Sequence, residues 1–391
     1  MEKHQKHSKI TKPDLGNFGR NEWAIVGTNC GNIQKLAKEL SKNISPPYKI
    51  AYVDADHSAG IPSEKAGNEA TPLPYFLEYT DKIQSHRFDF QSKITPFQYK
   101  TLFNETDIVL VNGNHFEAKR QIIVLDEKKF ESLSRKLNRL THVDAFIVLN
   151  EDLTTFEKLA DLMPAFLKSH LPNWKEIPVF TIHETKKIAH HIIANITIPK
   201  LNALILAGGK STRMGQDKAL ISYHDMAQWQ YLSNLLRGVN LDVFISCQAD
   251  QEAHFKGENL IFDSFIGLGP LGAILSAFRE DPNAAWLVVA CDLPLLDKTT
   301  VNFLIDNRNP SKIATTYRSP ESQEGFPEPL ITIWEPKCYA ILLQFLAQGI
   351  NCPRKVLINS DVHVLDASEP ETLMNANTPD DKKIALTLLH P

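Results

Sequence analysis

The sequence has few cysteines and no long apolar run. Its five cysteines form no C-x-x-C pair, and their odd number argues against a disulfide framework as well as a zinc site. No stretch approaches the length of about 18 apolar residues that a membrane span needs, and the polar residues 1–23 do not resemble a signal peptide. We therefore expect a cytoplasmic protein with reduced thiols and no membrane partner.

Positive charge is not in excess either. Lysine and arginine number 42 against 46 acidic residues, which gives a net charge of −4, and no basic patch stands out. This composition does not predict nucleic acid as a partner. The chain of 391 residues, 43% hydrophobic and 23% charged, is too long for one ordinary domain and has the composition of a soluble globular protein.

The pattern of apolar runs predicts an α/β protein with two domains, each a mostly parallel sheet with helices on both faces. We predict a flexible tail over 1–21, a first domain over 22–198 and a second over 199–391. Residues 56–105 show no clear periodicity and are assigned to loops and an edge element. The predicted strands are 23–27, 48–53, 107–112, 144–149, 178–182, 202–206, 242–247, 260–262, 286–290 and 313–317. The predicted helices are 32–43, 133–140, 156–167, 228–238, 270–280, 298–307 and 336–347.

A glycine-rich loop follows the first predicted strand of the second domain. Residues 206–218 read LAGGKSTRMGQDK, in which small residues are followed by the cations Lys210, Arg213 and Lys218. Small residues let the backbone approach a nucleotide closely, and clustered cations are suited to binding a polyphosphate. The spacing is neither that of a Walker A motif nor G-x-G-x-x-G.

The whole string resembles the signature of the nucleotidyltransferases that include molybdenum cofactor guanylyltransferase. The resemblance implies a Rossmann-like fold for the second domain and transfer of GMP from GTP to molybdopterin, with release of pyrophosphate. It implies that Lys218 stabilises the α-phosphate and that Lys210 and Arg213 hold the leaving pyrophosphate. Four loop residues would bind the nucleotide, with Gly208 and Gly209 presenting backbone N–H groups: Leu206, Ala207, Gly208 and Gly209.

An aspartate follows the predicted strand 286–290, in the sequence Cys291-Asp292-Leu293-Pro294. A carboxylate at a strand end suits Mg²⁺, which prefers one or two carboxylates together with phosphate oxygens and water. The family has a C-D-x-P motif here, so the resemblance implies that Asp292 binds magnesium and nucleotide. A turn or helix cap is the alternative for this residue.

Three further segments match the family. Asp263 stands where the family has an aspartate that contacts guanosine, and Ser246 stands where an asparagine is common, so guanine specificity is less well supported than nucleotide binding. Asn375 and Asn377 precede Thr378-Pro379-Asp380-Asp381, which predicts a capped helix start. The resemblance implies that both asparagines lie near the metal and phosphates, although they could instead only shape the turn.

The acceptor side is less clearly marked. Glu328-Pro329-Leu330 resembles a family segment expected to line the acceptor site. Arg354 and Lys355 could meet an acceptor phosphate, but solvated surface positions are favoured for both.

The loop Gly27–Gln34 in the first domain has the position of a P-loop but lacks its lysine and its Ser/Thr. This domain resembles the adapter protein of the same cofactor pathway, and we expect little or no nucleotide hydrolysis from it. Binding of a cofactor phosphate, a pathway protein or a molybdoenzyme stays open, because helix N-termini bind anions. For Cys30 and His115 a buried thiol and a core histidine are expected.

Two other functions are considered. The first is an enzyme with the same loop but another base or acceptor, such as a cytidylyltransferase or a sugar-phosphate enzyme. The second is a non-catalytic adapter for the cofactor. The set of Lys210, Arg213, Lys218 and Asp292 favours catalysis over the adapter.

Overall fold

The structure of the protein is a computed structural model that describes residues 19–55, 76–90, 92–149, 156–208, 218–320 and 322–390. Two large sheets account for most of its strands. They are formed by consecutive parts of the chain, with residues 195–200 between the last helix of the first part and the first strand of the second.

Six parallel strands form the N-terminal sheet. Strand β1 begins at Asn21, the last residue of the predicted tail. A separate antiparallel hairpin consists of β3 (Leu77–Asp81) and β4 (His86–Phe90). In spatial order the sheet contains β2 (Ile50–Val53), β5 (Ile108–Asn112), β1 (Asn21–Val26), β6 (Arg120–Leu125), β7 (Val143–Val148) and β8 (Val179–Thr181).

Helices cover both faces of this sheet. On one face α1 (Cys30–Ile44) and α6 (Thr185–Ala194) pack against side chains such as Trp23 and Ile25 of β1. The alternate side chains of β1 face the other helices, as the two-residue period of a strand requires. Those helices are α2 (Pro96–Leu102), α3 (Phe130–Ser134), α4 (Phe156–Leu162) and α5 (Ala165–His170).

Seven strands form the C-terminal sheet, and all neighbouring pairs are parallel except those that involve β14 (Pro327–Trp334). The predicted fold class is therefore confirmed for both sheets. In spatial order the strands are β11 (Asn259–Phe262), β10 (Asp242–Cys247), β9 (Leu201–Leu206), β12 (Ala285–Ala290), β14 (Pro327–Trp334), β13 (Ala314–Arg318) and β15 (His363–Leu365).

Two apolar clusters sandwich the C-terminal sheet. One contains α7 (Gln228–Arg237) and α9 (Lys298–Asp306), and α12 (Pro379–Leu389) ends the described chain. The other contains α8 (Pro270–Glu280), α10 (Cys338–Ala347) and α11 (Pro353–Ile358). With both faces covered, a ligand is best accommodated at the carboxyl ends of β9 to β12, which meet at one edge.

A buried ion pair joins the two halves of the chain. The Lys337 ammonium lies 2.5 Å from the Asp107 carboxylate, and the side chains are 2% and 7% exposed. Asn104 donates a hydrogen bond of 2.8 Å to the backbone carbonyl of Lys337. None of the helices in the described part of the chain has the length and apolar content needed to cross a bilayer.

Candidate active site

The start of the glycine-rich loop lies against the end of β10. Strand β9 ends at Leu206, and the N–H groups of Ala207 and Gly208 both donate to the Ser246 carbonyl at 3.0 Å. The Gly208 N–H is therefore used within the protein, which differs from the expectation that it would be presented to a nucleotide. Gly209, Lys210 and Arg213 lie outside the described residues.

Gly208 instead gives space beside a carboxylate. A Cβ atom placed on it would lie 3.5 Å from Asp263 Oδ2. Ser246 Oγ donates a 2.7 Å hydrogen bond to Asp263 Oδ1. Burial raises the pKa of Asp263 above its usual value, and the Ser246 hydrogen bond opposes that shift. The three predicted nucleotide-binding positions meet because β9, β10 and β11 are parallel neighbours.

A second group of predicted residues meets at the end of β12. Lys218 Nζ lies 3.2 Å from Asp292 Oδ2 and donates a short hydrogen bond to Asn377 Oδ1. The Asp292 side chain is only 12% exposed, and its Oδ1 has no hydrogen-bond partner among the described residues. Since a buried oxygen without a partner is costly, Asp292 is suited to an additional ligand.

The segment before α12 is held beside Asp292 by backbone contacts. The Ala376 N–H donates to the Asp292 carbonyl at 2.8 Å. Thr378 caps α12, as predicted, and the Asp381 carboxylate accepts from the N–H groups of Asn377 and Thr378. The pKa of Asp381 is lowered most by a hydrogen bond that its carboxylate accepts from the Thr378 hydroxyl, and these two backbone bonds lower it further. Asn377 is thereby fixed in front of Lys218.

The residues of this group fit a magnesium ion that is shared with a substrate phosphate. The described residues contain no group of three or more His, Cys, Asp or Glu side chains that could hold a metal alone. Magnesium bound with a nucleotide needs only one or two carboxylates, and the partnerless Asp292 Oδ1 supplies one such oxygen. The amide oxygens of Asn375 and Asn377 are further oxygen ligands of the kind that magnesium accepts, and both residues line the same cavity as this carboxylate.

A cavity of about 610 Å³ opens beside this group. The turn at its rim contains Gly267 and Gly269 at φ values of +81° and +57°, and an added Cβ at either would meet open space. Asp292, Asn375 and Asn377 are among the residues that line the cavity. The remaining wall consists of Leu268, Pro270, residues 328–330 and residues 351–354.

A buried carboxylate and a partly exposed guanidinium also line this cavity. Glu328 is 2% exposed and accepts a 2.8 Å bond from Arg354 Nη2. Burial raises the pKa of Glu328, while the charge of Arg354 acts in the other direction. Arg354 Nε is buried without a partner among the described residues. The Arg354 side chain is nevertheless 37% exposed, so it lies at the surface, as favoured from the sequence, while one of its nitrogens is buried; Lys355 is exposed.

The first domain's loop is arranged differently. Position 27 requires glycine for two reasons: its φ is +97°, and a Cβ there would lie 2.4 Å from the Val124 carbonyl oxygen. Thr28 Oγ1 donates to Asp126 at 2.9 Å and accepts from Asn32 at 3.1 Å. Polar side chains thus pair with one another around this loop.

Cys30 belongs to this loop, and His115 lies beside it. The Cys30 sulfur is 3.3 Å from His115 Nε2, and both side chains are half-exposed. The expectation of a buried thiol and a core histidine is therefore wrong. The two residues come from the start of α1 and the turn after β5, which meet because β1 and β5 are adjacent parallel strands.

Comparison with known proteins agrees with the loop motif. A model of the MobA-like NTP transferase domain matches residues 203–364. The chain is 34% identical over 188 residues to a protein named Probable molybdenum cofactor guanylyltransferase from Carboxydothermus hydrogenoformans, a match that covers 46% of this chain and 92% of that protein. The chain belongs to the molybdenum cofactor guanylyltransferase family. Its C-terminal half therefore contains a nucleotidyltransferase domain.

A second sequence relative and a solved structure also resemble this chain. A molybdenum cofactor biosynthesis bifunctional protein from Synechocystis is 34% identical over 190 residues, which is 48% of this chain and 54% of that protein. The chain thus matches about half the length of that relative. The solved structure of molybdopterin-guanine dinucleotide biosynthesis protein A from Archaeoglobus fulgidus is 20% identical and covers 48% of this chain and 98% of that one, with a TM-score of 0.41. A likeness at that level adds no argument to the sequence relatives.

Proposed function

We propose that the C-terminal half transfers GMP from GTP to the terminal phosphate of molybdopterin, giving the guanine dinucleotide cofactor and pyrophosphate. The observation that carries the proposal is the group of Lys218, Asp292 and Asn377 at the edge of the 610 Å³ cavity. Its support is the membership of the chain in the guanylyltransferase family.

In this reaction an oxygen of the acceptor phosphate attacks the α-phosphorus of GTP in line. A new P–O bond forms there, and the bond from the α-phosphorus to the bridging oxygen breaks, so that the electron pair leaves with pyrophosphate. Such transfers depend on positioning and charge neutralisation. Lys218 supplies a positive charge that Asp292 and Asn377 hold in place. From the sequence, Lys210 and Arg213 are proposed to hold the pyrophosphate.

Magnesium is proposed as the cofactor, held by Asp292 with help from Asn375 and Asn377. When bound, it would neutralise charge on phosphate oxygens and orient them. The unpaired Asp292 Oδ1 supports this assignment. In the structure Lys218 and Asp292 pair with each other, which compensates both charges.

The nucleoside is proposed to lie over Gly208, Ser246 and Asp263. Gly208 leaves room for a planar group, and the Asp263 carboxylate can accept hydrogen bonds from a base or a ribose. Preference for guanine over cytosine is inferred from the family.

The cavity wall at Arg354 is proposed to face the acceptor, because its buried Nε needs an anionic or polar partner. Other proteins of the cofactor pathway and a recipient molybdoenzyme are proposed partners.

The proposal is tested by incubating the full chain with Mg²⁺, molybdopterin and each of the four NTPs, with pyrophosphate release as the readout. Product mass is then determined by mass spectrometry. GTP should support release at a rate well above that of the other three, with formation of the guanine dinucleotide. A preference for CTP, or turnover only with a sugar phosphate in place of molybdopterin, would contradict it.

A further inference from the structure

The residues from Lys218 to the first turn of α7 form one compact unit. A short 3₁₀ helix over Lys218–Leu220 opens the unit. The Gln228 N–H donates to the Ile221 carbonyl at 2.9 Å and closes the loop between these two residues. Helix α7 begins at Gln228. The active-site cation Lys218 therefore belongs to the same unit as the start of α7, and this unit is called the 218–231 unit below.

Three side chains of the 218–231 unit donate hydrogen bonds to the backbone that follows Asp292. The bonds run from His224 Nε2 to the Pro294 carbonyl at 2.8 Å, from Gln228 Nε2 to the Leu293 carbonyl at 3.0 Å and from the Tyr231 hydroxyl to the Leu296 carbonyl at 2.8 Å. The rings of His224 and Tyr231 stack with centroids 3.6 Å apart and planes 10° from parallel. Each ring thus restricts the orientation of the other.

The turn that carries Asp292 is held by two parts of the chain. The 218–231 unit binds the carbonyls after Asp292, and the Ala376 N–H donates to the Asp292 carbonyl itself at 2.8 Å. Lys218 Nζ lies 3.2 Å from Asp292 Oδ2. Because Lys218 and the three donors share one unit, a displacement of that unit would move both members of the ion pair together, and their spacing would be kept.

Gln228 is an unfavourable choice for a purely structural position. Its side chain is fully buried, and its Oε1 has no hydrogen-bond partner among the described residues. A buried polar atom without a partner costs free energy. The Leu293 carbonyl also accepts from the Leu296 N–H at 3.4 Å, so an apolar side chain at position 228 would leave that carbonyl with a donor. Folding alone therefore does not account for a glutamine here.

We propose that Gln228, together with His224 and Tyr231, is a positioning residue for the metal-binding carboxylate. By holding the turn after β12, these side chains set the direction of the Asp292 carboxylate and its distance from Lys218. The inference rests on the proposed function, because it takes Asp292 as the residue that binds magnesium together with GTP. Removal of a group that orients a metal ligand typically costs about 10–100-fold in metal affinity or activity.

Isothermal titration of the full chain with GTP, once in Mg²⁺ and once in EDTA, tests this role without an activity assay. The ratio of the Kd in EDTA to the Kd in Mg²⁺ measures how much magnesium strengthens GTP binding. Gln228→Leu should lower this ratio by about 10–100-fold and leave the Kd in EDTA unchanged. Its midpoint of urea unfolding should equal or exceed that of wild type, because the unpaired Oε1 is removed.

A second variant keeps the test valid if Gln228→Leu does not fold. His224→Phe retains a ring that can stack on Tyr231 but lacks the donor to Pro294, and it should lower the ratio by a smaller factor. Leu236→Ala is the matched structural control, since Leu236 is fully buried on the same helix about two turns further along. This variant should lower the midpoint of unfolding and keep the wild-type ratio.

The outcomes separate this inference from the proposed function. If Asp292→Asn lost the magnesium-dependent part of GTP binding while Gln228→Leu and His224→Phe kept it, the positioning role would be overturned and the proposed function would stand. An equal loss in Leu236→Ala would also overturn the positioning role, because general destabilisation would then explain it. Wild-type GTP binding that is indifferent to Mg²⁺ would overturn the proposed magnesium site and this inference with it.

Discussion

Two loops in this chain hold equivalent positions, each at the carboxyl end of a parallel strand and before a helix. Around the first, Thr28, Asn32 and Asp126 are bonded to one another. Near the second, Asp292 has an oxygen without a partner among the described residues and borders a cavity of about 610 Å³. The same fold therefore provides a self-satisfied polar cluster in one half and an open site with uncompensated polar atoms in the other.

Because both sheets have helices on their two faces, the difference between the halves lies in the side chains at the carboxyl ends of their strands. In the first half the polar atoms there hydrogen-bond to one another, whereas in the second half some of them have no hydrogen-bond partner among the described residues.

Lys337→Met should reduce the free energy of unfolding by about 3–5 kcal/mol, because it leaves the buried Asp107 carboxylate without its cation. Urea unfolding followed by circular dichroism measures the change. The double variant Lys337→Met/Asp107→Asn removes both charges and should recover most of the loss. If the two halves unfolded independently, the protein would show two unfolding transitions, and only one of them would shift in Lys337→Met.

Asp292→Asn should lower kcat for GMP transfer by about 10²–10³-fold, the cost of removing one positioned electrostatic group from a transfer site. The matched control is Asp54→Asn, since Asp54 follows β2 in the first half and accepts bonds from Tyr52, Gln34 and Asn112. That variant should keep wild-type turnover. Equal losses of kcat in the two variants would contradict the proposed difference between the strand ends of the two sheets.

Arg354→Gln should raise KM for molybdopterin by about 10–100-fold, because bonds to a charged group contribute about 1.5–3 kcal/mol. Its effect on KM for GTP should be small. Lys355→Gln, one residue away and exposed, serves as the control and should change neither constant. An unchanged molybdopterin KM in Arg354→Gln would place the acceptor elsewhere.

The smallest expected effect is at Asp361, a partly exposed carboxylate that pairs with Lys49 of the first half and with Lys312 of the second. Burial acts to raise the pKa of Asp361, but the hydrogen bonds from Lys312 and Lys49 outweigh it and lower the pKa. A lowered folded-state pKa stabilises the protein above the unfolded value of about 3.9, and that contribution is lost as the pH falls through the folded-state pKa.

Asp361→Asn should therefore cost only about 0.2–1 kcal/mol at neutral pH, and the difference from wild type should disappear in acid. Thermal unfolding at a series of pH values measures both effects. A difference that grew as the pH fell would contradict the direction of the shift.

Local sequence signals predicted several elements well. Helix α8 spans Pro270–Glu280 as predicted, because Gly269 and Pro270 mark its start and an unbroken apolar face follows. The cap of α12 at Thr378 was predictable because a threonine followed by proline and acidic residues is a typical helix start. The fold class followed from alternating buried runs and helical periods.

Other features depend on distant parts of the chain. Strand β14 was not predicted, and its antiparallel direction is fixed by pairing with β12 and β13. Strand β6 was also missed, although the apolar run IIVL at 122–125 indicates a buried strand. The Glu328–Arg354 pair and the use of the Gly208 N–H by Ser246 arise from tertiary packing, which no spacing in the sequence reveals.

Isothermal titration of the full chain with GTP and Mg²⁺ tests the difference between the two edges most directly. The account predicts one GTP per chain, with binding strongly weakened by Lys218→Gln and unchanged by Thr28→Val/Asn32→Ala. Two GTP molecules per chain, or binding that survives Lys218→Gln but is lost in the first-half variant, would contradict it.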